Sequence, residues 1–265
     1  MEDPKLRTRK RIIILIIFLL IFAATGYFLN YLIAPSATCS DGKQNQSEKG
    51  VDCGGVCAPC KEIVQTKDLE IKEVAVAIGG NQTYDVIAKI SNPNEVMGSK
   101  EFGYTFTLKD AEGKVLATKQ GKTFILPSDT RYIPELGLKT ENDVVPSSVD
   151  FVLDDISWEK LTEMGKPQLG VYNKNVKEVN VASTQADAVI RNESGLYLKK
   201  IYVTVVLRSK ENAIIGINKT EINSVRQKEQ RDFNLVWPYA LSAPVANIEI
   251  DPQSNVFDVE NLSSM

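Results

Sequence analysis

Histidine does not occur anywhere in this chain of 265 residues. Its absence removes Ser-His and Cys-His nucleophile systems, imidazole metal sites and the commonest general base. Cysteine is confined as well: all four, Cys39, Cys53, Cys57 and Cys60, fall within one short segment. Tryptophan is limited to Trp158 and Trp237. No G-x-x-x-x-G-K and no G-x-G-x-x-G follows a strand-like run, so neither phosphate-cradling loop is encoded. Basic charge is scarce over most of the length. Residues 34–265 carry 26 Lys/Arg against 32 Asp/Glu, which argues against nucleic acid as a partner of this body.

The first 33 residues reverse that balance, with Lys5, Arg7, Arg9, Lys10 and Arg11 against Glu2 and Asp3. A run without any charge follows, from Ile12 to Ala34. As a helix it spans about 34 Å, enough for a hydrocarbon core of about 30 Å. Tyr27 and Tyr31 fall near its far end, where aromatic rings favour the interface. The expectation is a basic cytoplasmic tail over 1–11 and an uncleaved transmembrane helix over 12–34, with the bulk of the chain extracytoplasmic. A cleaved signal peptide is the alternative, but its apolar core is shorter, about 7–15 residues, and Ala34, Ser36 and Ala37 match a cleavage site only loosely.

Outside a membrane, four clustered cysteines read first as two disulfides within a segment spanning 35–64, with three pairings open. Zinc competes, because Cys57 and Cys60 have the x₂ spacing of a zinc knuckle. Asp41, Asn45, Glu48 and Asp52 offer oxygen ligands of the kind calcium takes. An EF-hand is excluded, since counting from Asp41 the sixth position is Gln46 rather than glycine. The pattern C-x-D-G-x-x-N-x-x-E-x-x-x-D-C-G-G-x-C-x-x-C, from Cys39 to Cys60, resembles a short cysteine-rich motif of bacterial and archaeal surface proteins. That resemblance implies an extracytoplasmic setting and, as a cofactor, calcium bound by Asp41, Asn45, Glu48 and Asp52. A disulfide-stapled collar with solvated acids remains the other reading.

Past Lys61 the sequence turns to short alternating runs. Phe102, Tyr104, Phe106 and Leu108 share one strand face, as do Val149, Phe151 and Leu153, and later Ile201, Val203, Val205 and Leu207. Asp110-Ala111-Glu112-Gly113 reads as a hairpin loop. A short helical turn is expected around Ser157 to Glu163. Two echoes lie about 100 residues apart. Ile71–Ala77 returns as Val176–Ala182, and Ala88-Lys89-Ile90-Ser91-Asn92 as Ala188-Val189-Ile190-Arg191-Asn192. The fold class is therefore mainly β, with two tandem immunoglobulin-like sandwiches over 65–160 and 165–261. Phe106-Thr107-Leu108-Lys109-Asp110 and Ser91-Asn92-Pro93-Asn94 resemble the FxLYD and late-embryogenesis-abundant type 2 group of sandwiches. Val205-Val206-Leu207-Arg208-Ser209 departs from that signature in the second copy.

Acid pairs occur at Asp154-Asp155 and at Glu141 and Asp143, which in a small sandwich read as solvated turns rather than a glycosidase pair. Each tryptophan reads as a plug at the end of its own sandwich, although Trp237-Pro238-Tyr239 has the composition of a binding surface. N-x-S/T sequons fall at Asn45, Asn81, Asn192, Asn218 and Asn261. The function expected is non-catalytic: a membrane-anchored protein presenting two sandwiches to an unidentified protein or envelope component, with no small-molecule substrate. The alternatives are an accessory subunit of a secretion or pilus apparatus and a carboxylate-based surface hydrolase.

Overall fold

The computed structural model describes residues 4–33, 39–45, 47–60, 65–140, 144–161, 165–180 and 182–263. Two compact units divide the chain between Val64 and Gln65. The first opens with helix α1, Pro4–Ile33. It starts earlier than the apolar run because Lys and Arg are good helix formers and nothing in Lys5–Arg11 breaks the turn. From Ile12 to Phe22 its large apolar side chains are all exposed. Among the described residues, none of the apolar window within Arg9–Asn30 is buried.

The second unit is built of antiparallel strands. The first seven are β1 (Glu70–Gly80), β2 (Thr83–Ser91), β3 (Met97–Lys109), β4 (Val115–Ile125), β5 (Thr130–Lys139), β6 (Ser148–Asp154) and the short β7 (Glu159–Lys160). They form one sheet in the order β1-β2-β5 and another in the order β4-β3-β6, with β7 also on β3. The alternation in β3 does what period-2 patterning dictates. Phe102, Tyr104, Phe106 and Leu108 turn into a core shared with Val86, Ala88 and Ile90 of β2 and with Phe151 of β6. No helical turn forms over Ser157–Leu161, the described part of the turn expected around Ser157 to Glu163, because Glu159 and Lys160 pair with Gly98 and Met97.

The same layering recurs with β8 (Leu169–Asn180), β9 (Ser183–Asn192), β10 (Tyr197–Arg208), β11 (Ile214–Val225), β12 (Gln230–Trp237), β13 (Asn247–Gln253) and the short β14 (Leu262–Ser263). Their sheets are β12-β9-β8 and β11-β10-β13, with β14 beside β10. Ile201, Val203, Val205 and Leu207 meet Ala186, Ala188, Ile190, Phe233 and Trp237 in the second core. The chain is thus mainly β, with an N-terminal helix and, later in the sequence, two sheet pairs.

The repeat is real in the backbone, with one correction of register. Val76 pairs with Val86, and Val176 pairs with Ala186. Val176 therefore stands where Val76 does, five positions from the Ile71 that the sequence echo suggests. The better evidence is polar. Asn92 Nδ2 donates to Met97 O at 2.7 Å and Leu126 O at 2.9 Å. Asn192 Nδ2 donates to Leu196 O at 2.7 Å and Val225 O at 3.2 Å. Each asparagine is buried, at 2% and 0% exposure, and each ties two backbone carbonyls from later in the chain. The turn after β3 repeats too: Asp110 N donates to Lys114 O, and Ser209 N to Ala213 O. Gly113 and Asn212 hold the same left-handed corner, at φ +83° and +63°, the region open to glycine and, among larger residues, favoured by asparagine.

Candidate functional site

The cysteine segment has almost no apolar core, so covalent bonds and short polar contacts hold it. Cys39 is joined to Cys57 and Cys53 to Cys60, with Cα separations of 5.5 and 4.7 Å. The two bridges interleave, since Cys53 lies inside the loop closed by Cys39–Cys57. Glycine is required at the crossing. Gly55 has φ +61°, and a Cβ there would lie 2.4 Å from Ser47 O.

The acids named from the sequence face inward onto backbone donors. Asp52 Oδ1 accepts from Asp41 N at 2.9 Å, and its Oδ2 accepts from Gly42 N at 3.0 Å. Asp41 Oδ1 accepts from Lys43 N at 2.9 Å, and its Oδ2 from Asn45 Nδ2 at 2.9 Å. Glu48, only 7% exposed, accepts from Asn45 N at 3.1 Å and Asp52 N at 3.3 Å through Oε2. Its Oε1 lies 3.2 Å from the disulfide sulfur of Cys57. These carboxylates act as side-chain caps for a chain with few ladders.

The fit to a hard cation follows from those bonds. Calcium needs six to eight oxygens aimed at one point, whereas Asp41, Glu48 and Asp52 aim at three separate sets of N–H groups. Among the described residues no three His, Cys, Asp or Glu side chains gather as a metal site. In this arrangement the three carboxylates do not converge on one point, while Asn45 Oδ1 is buried without a hydrogen-bond partner. All four sulfurs are in disulfides, which leaves no thiolate for zinc.

A second polar constellation, not anticipated from the sequence, joins the two sandwiches. The outer face of β1-β2-β5 meets the outer face of β10 and β11 through Ala77, Ile87, Tyr132, Val206 and Ile217. Beside this apolar seam Arg208 spends all five of its N–H donors. It grips Glu73 Oε1 and Oε2 at 3.0 and 2.7 Å. It also donates to Tyr132 Oη at 3.0 Å, Asn212 O at 2.9 Å and Glu249 Oε1. Tyr132 Oη donates in turn to Glu249 Oε2 at 2.7 Å, and Lys89 Nζ reaches the same oxygen at 3.3 Å. Burial works against the charge on Glu249, but bonds from Tyr132 and Arg208 prevail and hold it below the usual glutamate range. Nearby, Asp85 accepts from Gly137 N at 2.8 Å and Tyr239 Oη at 3.3 Å. Burial pushes its carboxyl up despite those bonds. Among the described residues the network pairs charges across the joint between the sandwiches.

The remaining residues noted from the sequence are scattered. Asp154 and Asp155 are exposed at the end of β6, while Glu141 and Asp143 lie outside the described residues. Trp158 is half-buried against the first core. Trp237 is 1% exposed and donates to Ile217 O at 3.1 Å. It plugs the second core rather than presenting a surface. Among the sequons Asn192 and Asn261 are buried, Asn45 and Asn218 are half-buried, and Asn81 is exposed in the β1–β2 hairpin. In the F-x-L-x-D stretch, Phe106 and Leu108 fill the core, and Asp110 Oδ1 accepts from Glu112 N and Lys114 N.

No family model matches the chain, and no curated protein matches it. Among solved structures, the crystal structure of red sea bream transglutaminase is similar over 72% of this chain at 17% identity, with a TM-score of 0.24. The chain spans 29% of the length of that transglutaminase. Calcium-binding domain CBD12 of CALX1.1 is similar over 72% of this chain and 82% of its own, at 8% identity and a TM-score of 0.24. Neither likeness transfers a function to this chain.

Proposed function

We propose that the chain is a single-pass membrane protein with its N-terminus in the cytoplasm, its cysteine module and paired sandwiches outside, and no catalytic role. The observation that carries this reading is α1. Its 22-residue stretch Arg9–Asn30 is uncharged from Ile12 onward and none of its apolar window is buried, whereas a helix in water buries at least one apolar stripe. At about 1.5 Å per residue the stretch matches a hydrocarbon core of about 30 Å. The basic residues at its start set the orientation. The doubly disulfide-bonded module after it suits an oxidising compartment.

The body then acts as a binding or assembly element for a protein or envelope component. Arg208 is paired with Glu73 and Glu249 in the joint between sandwiches, and Asp154 and Asp155 are exposed. Protease added to spheroplasts should digest the body and spare a tag placed before Met1. A tag that is digested while the body survives would reverse the orientation and overturn the proposal. A body released without protease, starting near Ala37, would mean that the helix is a cleaved signal.

A further inference from the structure

The two sandwiches leave a cleft of about 720 Å³ between them. Residues of both sandwiches line it, from Tyr104, Gly121 and Thr123 on one side to Tyr202, Thr204 and Thr220 on the other. Its walls are built. Tyr104 lies across Gly121, where a Cβ would sit 2.3 Å from the phenol oxygen. The same hydroxyl donates to Glu135 at 2.6 Å, and Lys219 lies 3.6 Å from Glu135.

Arg131 contributes to the cleft lining from β5. It is 6% exposed, stacks over the Phe124 ring at 4.2 Å and donates through Nη1 to Phe124 O at 2.6 Å. Its Nε has no hydrogen-bond partner. The contrast with Arg208, whose five donors are all used, is informative. Asp129 and Asp251 favour the Arg131 charge through space, but neither forms an ion pair with it among the described residues. Burial pulls its pKa down. A buried guanidinium left short of partners keeps donor capacity that its own chain does not use.

The lining also fixes the ligand class. Lys100, Lys119, Lys122, Arg131 and Lys219 line the cleft against Glu101, Glu135, Glu221 and Asp258. Glu101 is engaged by Lys122, Glu135 by Tyr104 and Lys219, Glu221 by Lys200, and Asp258 accepts from Glu260 N. Hydroxyl and amide groups from Gln120, Thr123, Thr220 and Asn255 supply the rest. Such a surface matches a hydroxyl-rich anion rather than an apolar molecule. We infer that this cleft binds an acidic saccharide, with a carboxylate of the sugar received by Arg131 and its hydroxyls by the threonine and amide side chains. This inference goes beyond the anchor reading and does not depend on α1 crossing a membrane.

The test is calorimetry on the full chain in detergent, titrated with trigalacturonate, neutral maltotriose and sodium sulfate. Trigalacturonate should bind saturably at one site, at least about tenfold more tightly than either comparator. Arg131→Gln should weaken it by about tenfold, as should Lys100→Gln combined with Lys119→Gln. Because Arg131→Gln also disturbs a buried site, Thr220→Trp serves as the second variant. It should fill the cleft and abolish the heat while leaving the melting temperature in place. No saturable heat with trigalacturonate, equal binding of maltotriose or sulfate, or unchanged binding in Thr220→Trp would each overturn the inference.

Discussion

The cysteine module and the sandwiches solve the same problem by opposite means. Residues 39–60 bury little apolar surface, and two interleaved disulfides with inward carboxylates take the place of a core. The sandwiches contain no cysteine and rest on cores such as Phe102–Leu108 and Ile201–Leu207, with ladders and buried asparagines satisfying the backbone. The difference teaches where each is vulnerable. The module answers to redox chemistry and the sandwiches to packing.

Reduction should therefore separate them most sharply. Dithiothreitol should abolish ordered amide signals from 39–60, since native bridges in small domains are worth about 2–5 kcal/mol and no core replaces them. The melting temperature of the sandwiches should not move. A joint loss would mean that the sandwiches depend on the module. Within the sandwiches, Phe106→Ala should cost about 3–5 kcal/mol by denaturant melting. Val205→Ala should cost less, about 2 kcal/mol, because it removes two methyl groups and leaves a smaller cavity.

The duplicated asparagines sharpen the comparison between the two sandwiches. Asn92→Ala and Asn192→Ala should each cost about 1–3 kcal/mol, since each strands one buried and one part-buried carbonyl. Unequal losses would mean that the two corners are not equivalent. The smallest effect is expected at the joint. Glu249 has a folded pKa below its unfolded value, so its contribution is fully present above about pH 4.3 and is lost as pH falls through the folded value. Its carboxylate is about a third exposed, so Glu249→Gln should cost no more than about 1 kcal/mol at pH 7. The difference from the parent chain should shrink as pH falls below about 4.3, as followed by melting across that range.

Much of this architecture was legible because period-2 alternation exposes which strand face is buried. Phe102 to Leu108 and Ile201 to Leu207 could be placed from pattern alone. The joint was harder, because its signal is a break in that pattern. Val206 and Ile87 are apolar at positions where alternation calls for solvent, and both pack between sandwiches. Pairing Arg208 with Glu73 needed the fold, since 135 residues separate them. The Lys-Glu-Val echo misled because similar strand compositions recur at any register, while the ladder fixes one. In the cysteine segment, the residues were found, but side-chain direction decides their role. Asp41, Glu48 and Asp52 have the composition of a calcium site and the geometry of backbone caps.

The most direct test concerns the compartment, because orientation and oxidation must agree if the body lies outside. Thiols are blocked with N-ethylmaleimide in living cells, and the full chain is then digested without reduction and read by mass spectrometry. An outside body with the observed bridges predicts peptides linked through Cys39–Cys57 and Cys53–Cys60 and no blocked cysteine. Four maleimide-blocked cysteines would place the module in a reducing compartment and contradict the anchored, outward-facing arrangement.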